Sequence, residues 1–428
     1  MKKAIGVLCA VSMAGALLAG CGGSSGTAQT TAAAESSAAE STTAEETTAA
    51  ESKEAESGAA EKVREPIAKE DLKIGIIFIG DENEGYSASH INGIEEAAKE
   101  EGLSDDQVLE KKNIGEDDSC IDAAEDLASQ GCQLIIATSF GHEDFLLQVA
   151  PDHPDIEFCH TTGYQAATSG LNNFHNAFTN IYEARYVSGI AAGMKIKEMI
   201  DKGTITADQA KMGYVGAYPY AEVISGFTSF YLGAKSVVPE VTMKVLYTNS
   251  WADPAKEAET AKQLISDGCV LISQHADTTG APSACQEEGV PCVGYNVSML
   301  SVAPDVALTS PTNNWSVYYK HLIDCMLSGD AIEVDWSKGF ADDAVRITEL
   351  GSACAEGTDK AVQDAEDAIK AGTLHVFDTS TFTVDGQEVT TCEKNGTEYI
   401  SDGYFHESEY ASAPAFDLII DGIDAPKN

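Results

Sequence analysis

The sequence predicts an α/β protein folded as two doubly wound parallel-sheet lobes, with a hinge and a central cleft. Three observations carry this expectation. Short apolar, β-branched runs recur along the chain, each followed by a turn and then an amphipathic stretch at helical spacing. The runs are continuously apolar rather than alternating, as strands covered by helices on both faces must be. They also fall in two blocks separated by one long helical segment, within a body of roughly 350 residues, more than a single core comfortably serves.

Before this body come two segments of a different kind. Lys2 and Lys3 precede an apolar run over 5–19 that is too short to span a bilayer comfortably, which reads as a secretion signal over 1–20. Leu18-Ala19-Gly20-Cys21 resembles the bacterial lipobox, so Cys21 is the expected site of lipidation. Residues 21–70 consist mainly of Ala, Ser, Thr and Glu, with little apolar surface to bury. As a flexible coil of about 50 residues this tether would reach roughly 40 Å from a lipid surface.

In the body, a strand over 74–79 leads to a helix over 91–101, and 134–137 leads to 143–150. The second block has 212–216 before a helix over 223–237, 245–248 before a helix opening at Pro254, and 270–273 before one after Pro282. Between the blocks runs a long helix over 181–199, and another over 314–327 follows a last strand at 307–309. The chain therefore leaves the first lobe, builds the second and returns. This gives an N-terminal lobe of 71–185 and 310–424 and a C-terminal lobe of 186–309. A helix near 359–370 and a hairpin over 382–387 are expected to cap the first lobe.

Composition narrows the function. The formal net charge of −43 makes nucleic acid and anionic headgroups poor partners, and few Lys or Arg remain to clamp several phosphates. Of the eleven Cys residues, those beyond Cys9 and Cys21 are scattered singly and form no C-x-x-C pair or zinc spacing, so most read as small buried hydrophobes, while Cys285 and Cys292 are close enough to bridge. The body has no G-x-S-x-G, no G-x-G-x-x-G after a strand, no phosphate loop and no H-E-x-x-H. The expectation is a protein that is not an enzyme, with no cofactor and no metal.

In open α/β sheets, ligands bind at the carboxyl ends of the strands. The loops there carry Glu84 and Tyr86, Ser139 and Phe140, Trp251 and Asp253, His275 and Asp277, Tyr295 and Asn296, and Asn314 and Trp315. Aromatic rings beside carboxylates and amides suit a planar heterocycle, stacked on its faces and hydrogen-bonded at its edge. Each residue also has a plainer reading. Trp251 could be a core tryptophan, Asp253 a helix cap, His275 and Asp277 a satisfied buried pair, and Tyr86 and Phe140 lobe packing. Arg185 with Glu183 reads as a structural pair on the long crossover helix.

The same loops resemble a known family. Gly85-Tyr86-Ser87 with His90 and Gly93, Thr138-Ser139-Phe140-Gly141, Tyr182-Glu183-Ala184-Arg185-Tyr186 with Gly189, Asn249-Ser250-Trp251 with Asp253-Pro254-Ala255-Lys256-Glu257, Gln274-His275 with Asp277, and Asn314-Trp315 with Tyr318-Tyr319 are similar to the BMP (basic membrane protein) solute-binding lipoproteins. The resemblance implies the type I periplasmic-binding-protein fold and service to an ABC importer for purine nucleosides or nucleobases. The implied partners are a small-molecule ligand, an ABC permease and, through the lipid anchor, the extracellular face of the cell membrane; the body is expected to be a monomer. Where nucleoside-binding members carry an Asp-Ser-Phe-Asn type loop, an Ala-Gly-Gly-Thr-Gly turn and a Lys near the last strand, this chain has Glu84-Gly85-Tyr86, His275-Ala276-Asp277-Thr278 and Asn314. Features that grip ribose are thus missing, and a free base fits the pattern. The alternatives are a surface sensor of the same fold and a calcium-dependent nucleoside hydrolase, for which the first loop offers only Asp81 and Glu82 beside Glu84.

Overall fold

The computed structural model describes residues 63–426. The expected secretion signal over 1–20 and the expected lipidation site Cys21 lie outside the described residues, as does most of the expected tether. The tether's expected end at 70 is too late. Val63 N–H donates to Gly329 O at 3.0 Å, Ile67 N–H to Met326 O at 3.2 Å, and Arg64 pairs with Glu157 at 2.7 Å. Ile67 packs on the first core, so apolar burial resumes earlier than the composition suggested.

Strands β1 (Ile74–Ile77), β2 (Val108–Lys111), β3 (Leu134–Ala137), β4 (Glu157–Thr161) and β5 (Phe174–Thr179) build the first sheet. The second contains β6 (Lys211–Gly216), β7 (Thr242–Tyr247), β8 (Leu271–Gln274) and β9 (Cys292–Val293). The chain then returns to add β10 (Asp335–Lys338) to the first sheet and finally β11 (Ile423–Asp424) to the second. The orders are β10-β5-β4-β3-β1-β2 and β11-β7-β6-β8-β9, with every pairing parallel.

The apolar runs explain this directly. All four residues of β1 and of β3 are buried. Because successive side chains leave opposite faces, Ile74, Ile76, Leu134 and Ile136 enter one core layer, and Ile77, Ile135 and Ala137 enter the other. Gly75 is needed in β1 because a Cβ there would lie 2.8 Å from Leu127 of the covering helix. In the second lobe Met212, Tyr214 and Leu271 face one layer, and Val215 and Ile272 the opposite one.

Five helices matter for the cleft: α1 (Gly85–Glu101), α2 (Ile181–Asp201), α3 (Ala221–Val237), α4 (Pro254–Ser266) and α5 (Trp315–Ser328). Helix α2 is the crossover between lobes. It packs closely on α3, since a Cβ at Gly193 would stand 2.8 Å from Ala234 O. The expected Arg185–Glu183 pair on α2 does not form. Glu183 accepts from Phe340 N–H at 2.7 Å, whereas Arg185 turns into the second lobe.

Four further expectations need correction. The segment after 370 caps the second lobe rather than the first: Val376, Phe377, Phe382, Phe405, Phe416 and Ile420 bury against Phe227, Phe230 and Tyr231, and β11 extends the second sheet. The physical reason is the apolar face of α3, on which these side chains close a core. The hairpin over 382–387 is a single Val384–Gln387 bridge around Asp385 and Gly386, both at positive φ, as a tight Asp-Gly turn requires. Residues 307–309 form no strand beyond a bridge between Ala307 and Cys292. Cys285 and Cys292 are free thiols rather than a bridge.

Candidate ligand-binding site

The loops after β1, β3 and β4 face those after β6, β7, β8 and β9 across a cavity between the lobes. Ile79, Gly80, Glu84, Tyr86, Ser139, Phe140 and Thr162 line it from the first lobe. From the second come Glu222, Trp251, Ala252, His275, Asp277 and Tyr295, and together they line a cavity of about 120 Å³. The walls are mostly apolar.

The first-lobe wall is tied to its own backbone. Glu84 is the N-cap of α1, and its two carboxylate oxygens accept from Tyr86 N–H at 2.5 Å and Ser87 N–H at 2.8 Å. Gly80 N–H donates to Ser87 Oγ at 3.0 Å, which closes the loop. The Tyr86 hydroxyl donates to Thr138 O, and its ring meets His90 edge-on at 4.5 Å. Ser139 Oγ donates to Glu116 at 2.7 Å, and the same carboxylate oxygen takes Gly141 N–H at 2.9 Å. Thr162 is held at φ 70°, costly for a β-branched residue.

The second-lobe wall rests on Arg185, which is fully buried. Its Nη1 donates to Tyr214 Oη at 2.7 Å and to Gln274 O at 2.6 Å, and its guanidinium lies 3.7 Å from the ring centre of Tyr295. His275, at the end of β8, meets Glu222 of α3 through Nε2 at 3.3 Å. Burial, then the nearby Arg185 charge, pushes the His275 pKa down to about 4, so the ring is neutral near pH 7. Asp277 Oδ1 accepts from Asn296 Nδ2 at 2.8 Å, and the Asp277 N–H donates to Trp251 O at 2.8 Å. Burial first, then the charges of Glu84, Glu257 and Glu222, raises the Asp277 carboxyl well above its ordinary range. Burial likewise raises Glu84.

Two contacts join the walls. Gly85 N–H donates to Asp277 O at 3.0 Å, and a Cβ at Gly85 would sit 3.0 Å from that oxygen, so glycine lets α1 start against the opposite lobe. The Phe140 ring stacks on Tyr220 at 5.7 Å. Beyond it Tyr218, Trp251, His275 and Tyr295 continue as a chain of rings 4.9 to 6.4 Å apart.

Eight of the twelve residues singled out in the sequence line the cavity: Glu84, Tyr86, Ser139, Phe140, Trp251, His275, Asp277 and Tyr295. Asn296 stands behind, positioning Asp277 from a backbone at φ 62°. The other three are placed elsewhere. Asp253 caps α4 through Lys256 N–H at 3.0 Å and pairs with the Lys256 ammonium at 3.2 Å. Asn314 bonds Asp343 O at 2.7 Å and Ser316 Oγ at 2.8 Å. Trp315 is 1% exposed and stacks on His90 at 4.3 Å, one layer behind Tyr86. Thr162 and Glu222 were missed. They follow β4 and β6, and the same loop-after-strand rule applied to 162–164 and 217–222 would have found them. Among the described residues no group of three or more His, Cys, Asp or Glu could hold a metal ion.

Residues 73–380 match the model of the Bmp family, described as ABC transporter substrate-binding protein PnrA-like. The chain belongs to the Bmp family. It is 33% identical over 325 residues to a purine-binding protein of Brucella abortus, an alignment covering 75% of this chain and 87% of that one. It is 32% identical over 265 residues to a putative ABC transporter glucose-binding protein of Haloferax volcanii, covering 62% and 64%. In fold it is similar to an ABC transporter solute-binding protein of Aeropyrum pernix, with a TM-score of 0.58 at 18% identity over 72% of this chain and 93% of that one. The chain is therefore an extracytoplasmic substrate-binding protein of the periplasmic-binding fold, not an enzyme. No helix among the described residues is long and apolar enough to cross a membrane.

Proposed function

We propose that this Bmp-family protein binds a purine nucleobase or nucleoside in the interlobe cleft and delivers it to an ABC permease, held at the cell surface by a lipid on Cys21 after removal of 1–20. The observation that carries the ligand reading is the lining itself. Rings of Tyr86, Phe140, Trp251 and Tyr295 supply flat apolar surface, and the carboxylates of Glu222 and Asp277 meet it at one side. A planar heterocycle with polar edges satisfies both kinds of wall. The purine-binding relative in Brucella abortus supports the same class. Missing ribose-gripping features favour the free base.

Closure is the working step. A ligand touching both walls shifts the population toward the form in which Gly85 bonds Asp277 O, and that form docks productively on the permease. A wrong ligand leaves buried polar groups unpaired at about 1 to 3 kcal/mol each.

A sugar is the second reading, because the relative in Haloferax volcanii is named a glucose-binding protein. Calorimetric titration of the soluble body with adenine, guanine, their nucleosides and glucose separates the two. The proposal expects saturable heat from at least one purine and none from glucose; the reverse overturns it. For the anchor, metabolic labelling with palmitate should mark the native chain and not Cys21→Ser. Label on the variant would contradict the lipid assignment.

A further inference from the structure

The balance of donors and acceptors around the cleft narrows the ligand further. The carboxylates of Glu84, Glu222 and Asp277 line the cavity, and among the described residues no lysine or arginine does. Glu84 is engaged by the start of α1, so its oxygens face amide donors of its own helix. Asp277 and Glu222 differ. Asp277 is only 7% exposed, and one oxygen takes Asn296 while Oδ2 accepts from no described residue. Glu222 gives one oxygen to His275, and Oε2 likewise accepts from none. Neither free oxygen is among the buried atoms sealed from space without a partner, so both have room for a donor.

The donors of the same lining are largely taken. Tyr86 O–H goes to Thr138 O, Ser139 O–H to Glu116, and the neutral His275 ring directs Nε2 to Glu222. Trp251 Nε1–H and the Tyr295 hydroxyl remain as donors of the lining with no protein acceptor among the described residues. The cleft therefore presents open acceptors on its second-lobe side and few donors to answer a carbonyl. An anionic ligand would place negative charge beside the Glu222 carboxylate, where like charges repel, and beside an Asp277 carboxyl whose ionisation burial already opposes.

We propose that the cleft selects purines that carry an exocyclic amine, which donates to Asp277 and Glu222, over purines that carry oxo groups alone, such as xanthine and urate. The proposal rests on the purine reading above. It assigns Asp277 and Glu222 as the specificity-determining residues.

The test is a calorimetric panel of adenine, guanine, hypoxanthine, xanthine and urate on the soluble body, repeated with Glu222→Gln and Asp277→Asn. The better amino-purine should bind at least tenfold tighter than hypoxanthine and at least a hundredfold tighter than xanthine or urate. Each variant gains an amide donor and should narrow the ratio of amino-purine to xanthine affinity by about tenfold. Glu222→Gln, on the less buried side chain, provides the measurement should Asp277→Asn fail to fold. Xanthine or urate binding as tightly as the amino-purines overturns the donor rule and leaves the purine reading standing. Unchanged ratios in the folded variants remove these two residues as its origin and overturn the assignment. Absence of binding by every purine overturns both readings together.

Discussion

The two walls of the cleft are built from similar residues and treated differently by the fold. On the first-lobe wall, Glu84 caps α1, the Tyr86 hydroxyl bonds Thr138 O and Ser139 bonds Glu116, so the polar atoms are anchored within the lobe. On the second-lobe wall, Glu222 and Asp277 each leave one oxygen without a protein donor. On the proposed function the first wall serves as a shaped platform and the second as the reader of hydrogen-bond pattern. Type of side chain does not distinguish them, since a carboxylate and an aromatic stand on each. What distinguishes them is whether the polar atom is already satisfied.

The largest effect should come from behind the platform. Trp315 is buried against His90 and Tyr318, so Trp315→Ala should cost roughly 3 to 5 kcal/mol of folding free energy, read by chemical denaturation. A small loss of stability with a large loss of binding would move Trp315 into the site and break the division between walls.

Next comes the support of the reader. Glu257 accepts from Thr278 Oγ1 at 2.6 Å beside Asp277, and burial raises its pKa to about 7 against an ordinary 4.5. A carboxyl whose folded pKa is raised favours the native state most when protonated. Its contribution is full below about pH 4.5 and is lost as pH rises through 7. Glu257→Gln should remove this dependence, flattening the stability profile between those values by up to about 3 kcal/mol. A profile identical to that of the native protein would show that Glu257 does not change its protonation preference on folding.

Trp251 is the aromatic member of the reader and only half-buried, ringed by Tyr218, Tyr220 and His275. Trp251→Ala should weaken ligand binding by about 2 kcal/mol, roughly thirtyfold, with a smaller loss of stability than Trp315→Ala. If the folded variant binds normally, Trp251 is packing alone. The smallest effect is expected on the platform: Tyr86→Phe loses the hydroxyl's hydrogen bond to Thr138 O and its longer contacts with the Thr161 and Thr162 hydroxyls, about 1 kcal/mol of stability, and should change affinity by less than about threefold.

The sequence made the strands of both sheets legible because four-residue runs such as Ile74–Ile77 and Leu134–Ala137 are apolar on both faces, and only a covered parallel sheet uses such runs. It did not show where the C-terminal segment packs. Phe377, Phe405 and Phe416 announce a core, but nothing local says which lobe owns it. The cleft was legible at Trp251, His275 and Asp277, which end apparent strands. Glu222 escaped because it begins a helix, where an acidic residue is the ordinary expectation. Asn314 and Trp315 misled for a related reason. They follow a chain return that resembles a strand end but enters the first lobe behind Tyr86.

The most direct test of the account is the identity of the small molecule carried by the soluble body when it is purified under native conditions, released by denaturation and weighed by mass spectrometry. A purine nucleobase or nucleoside, displaced from Asp277→Ala purified in the same way, is the predicted result. A hexose or another ligand without a flat heterocycle, retained equally by Asp277→Ala, would contradict both the purine assignment and the role given to the second-lobe wall.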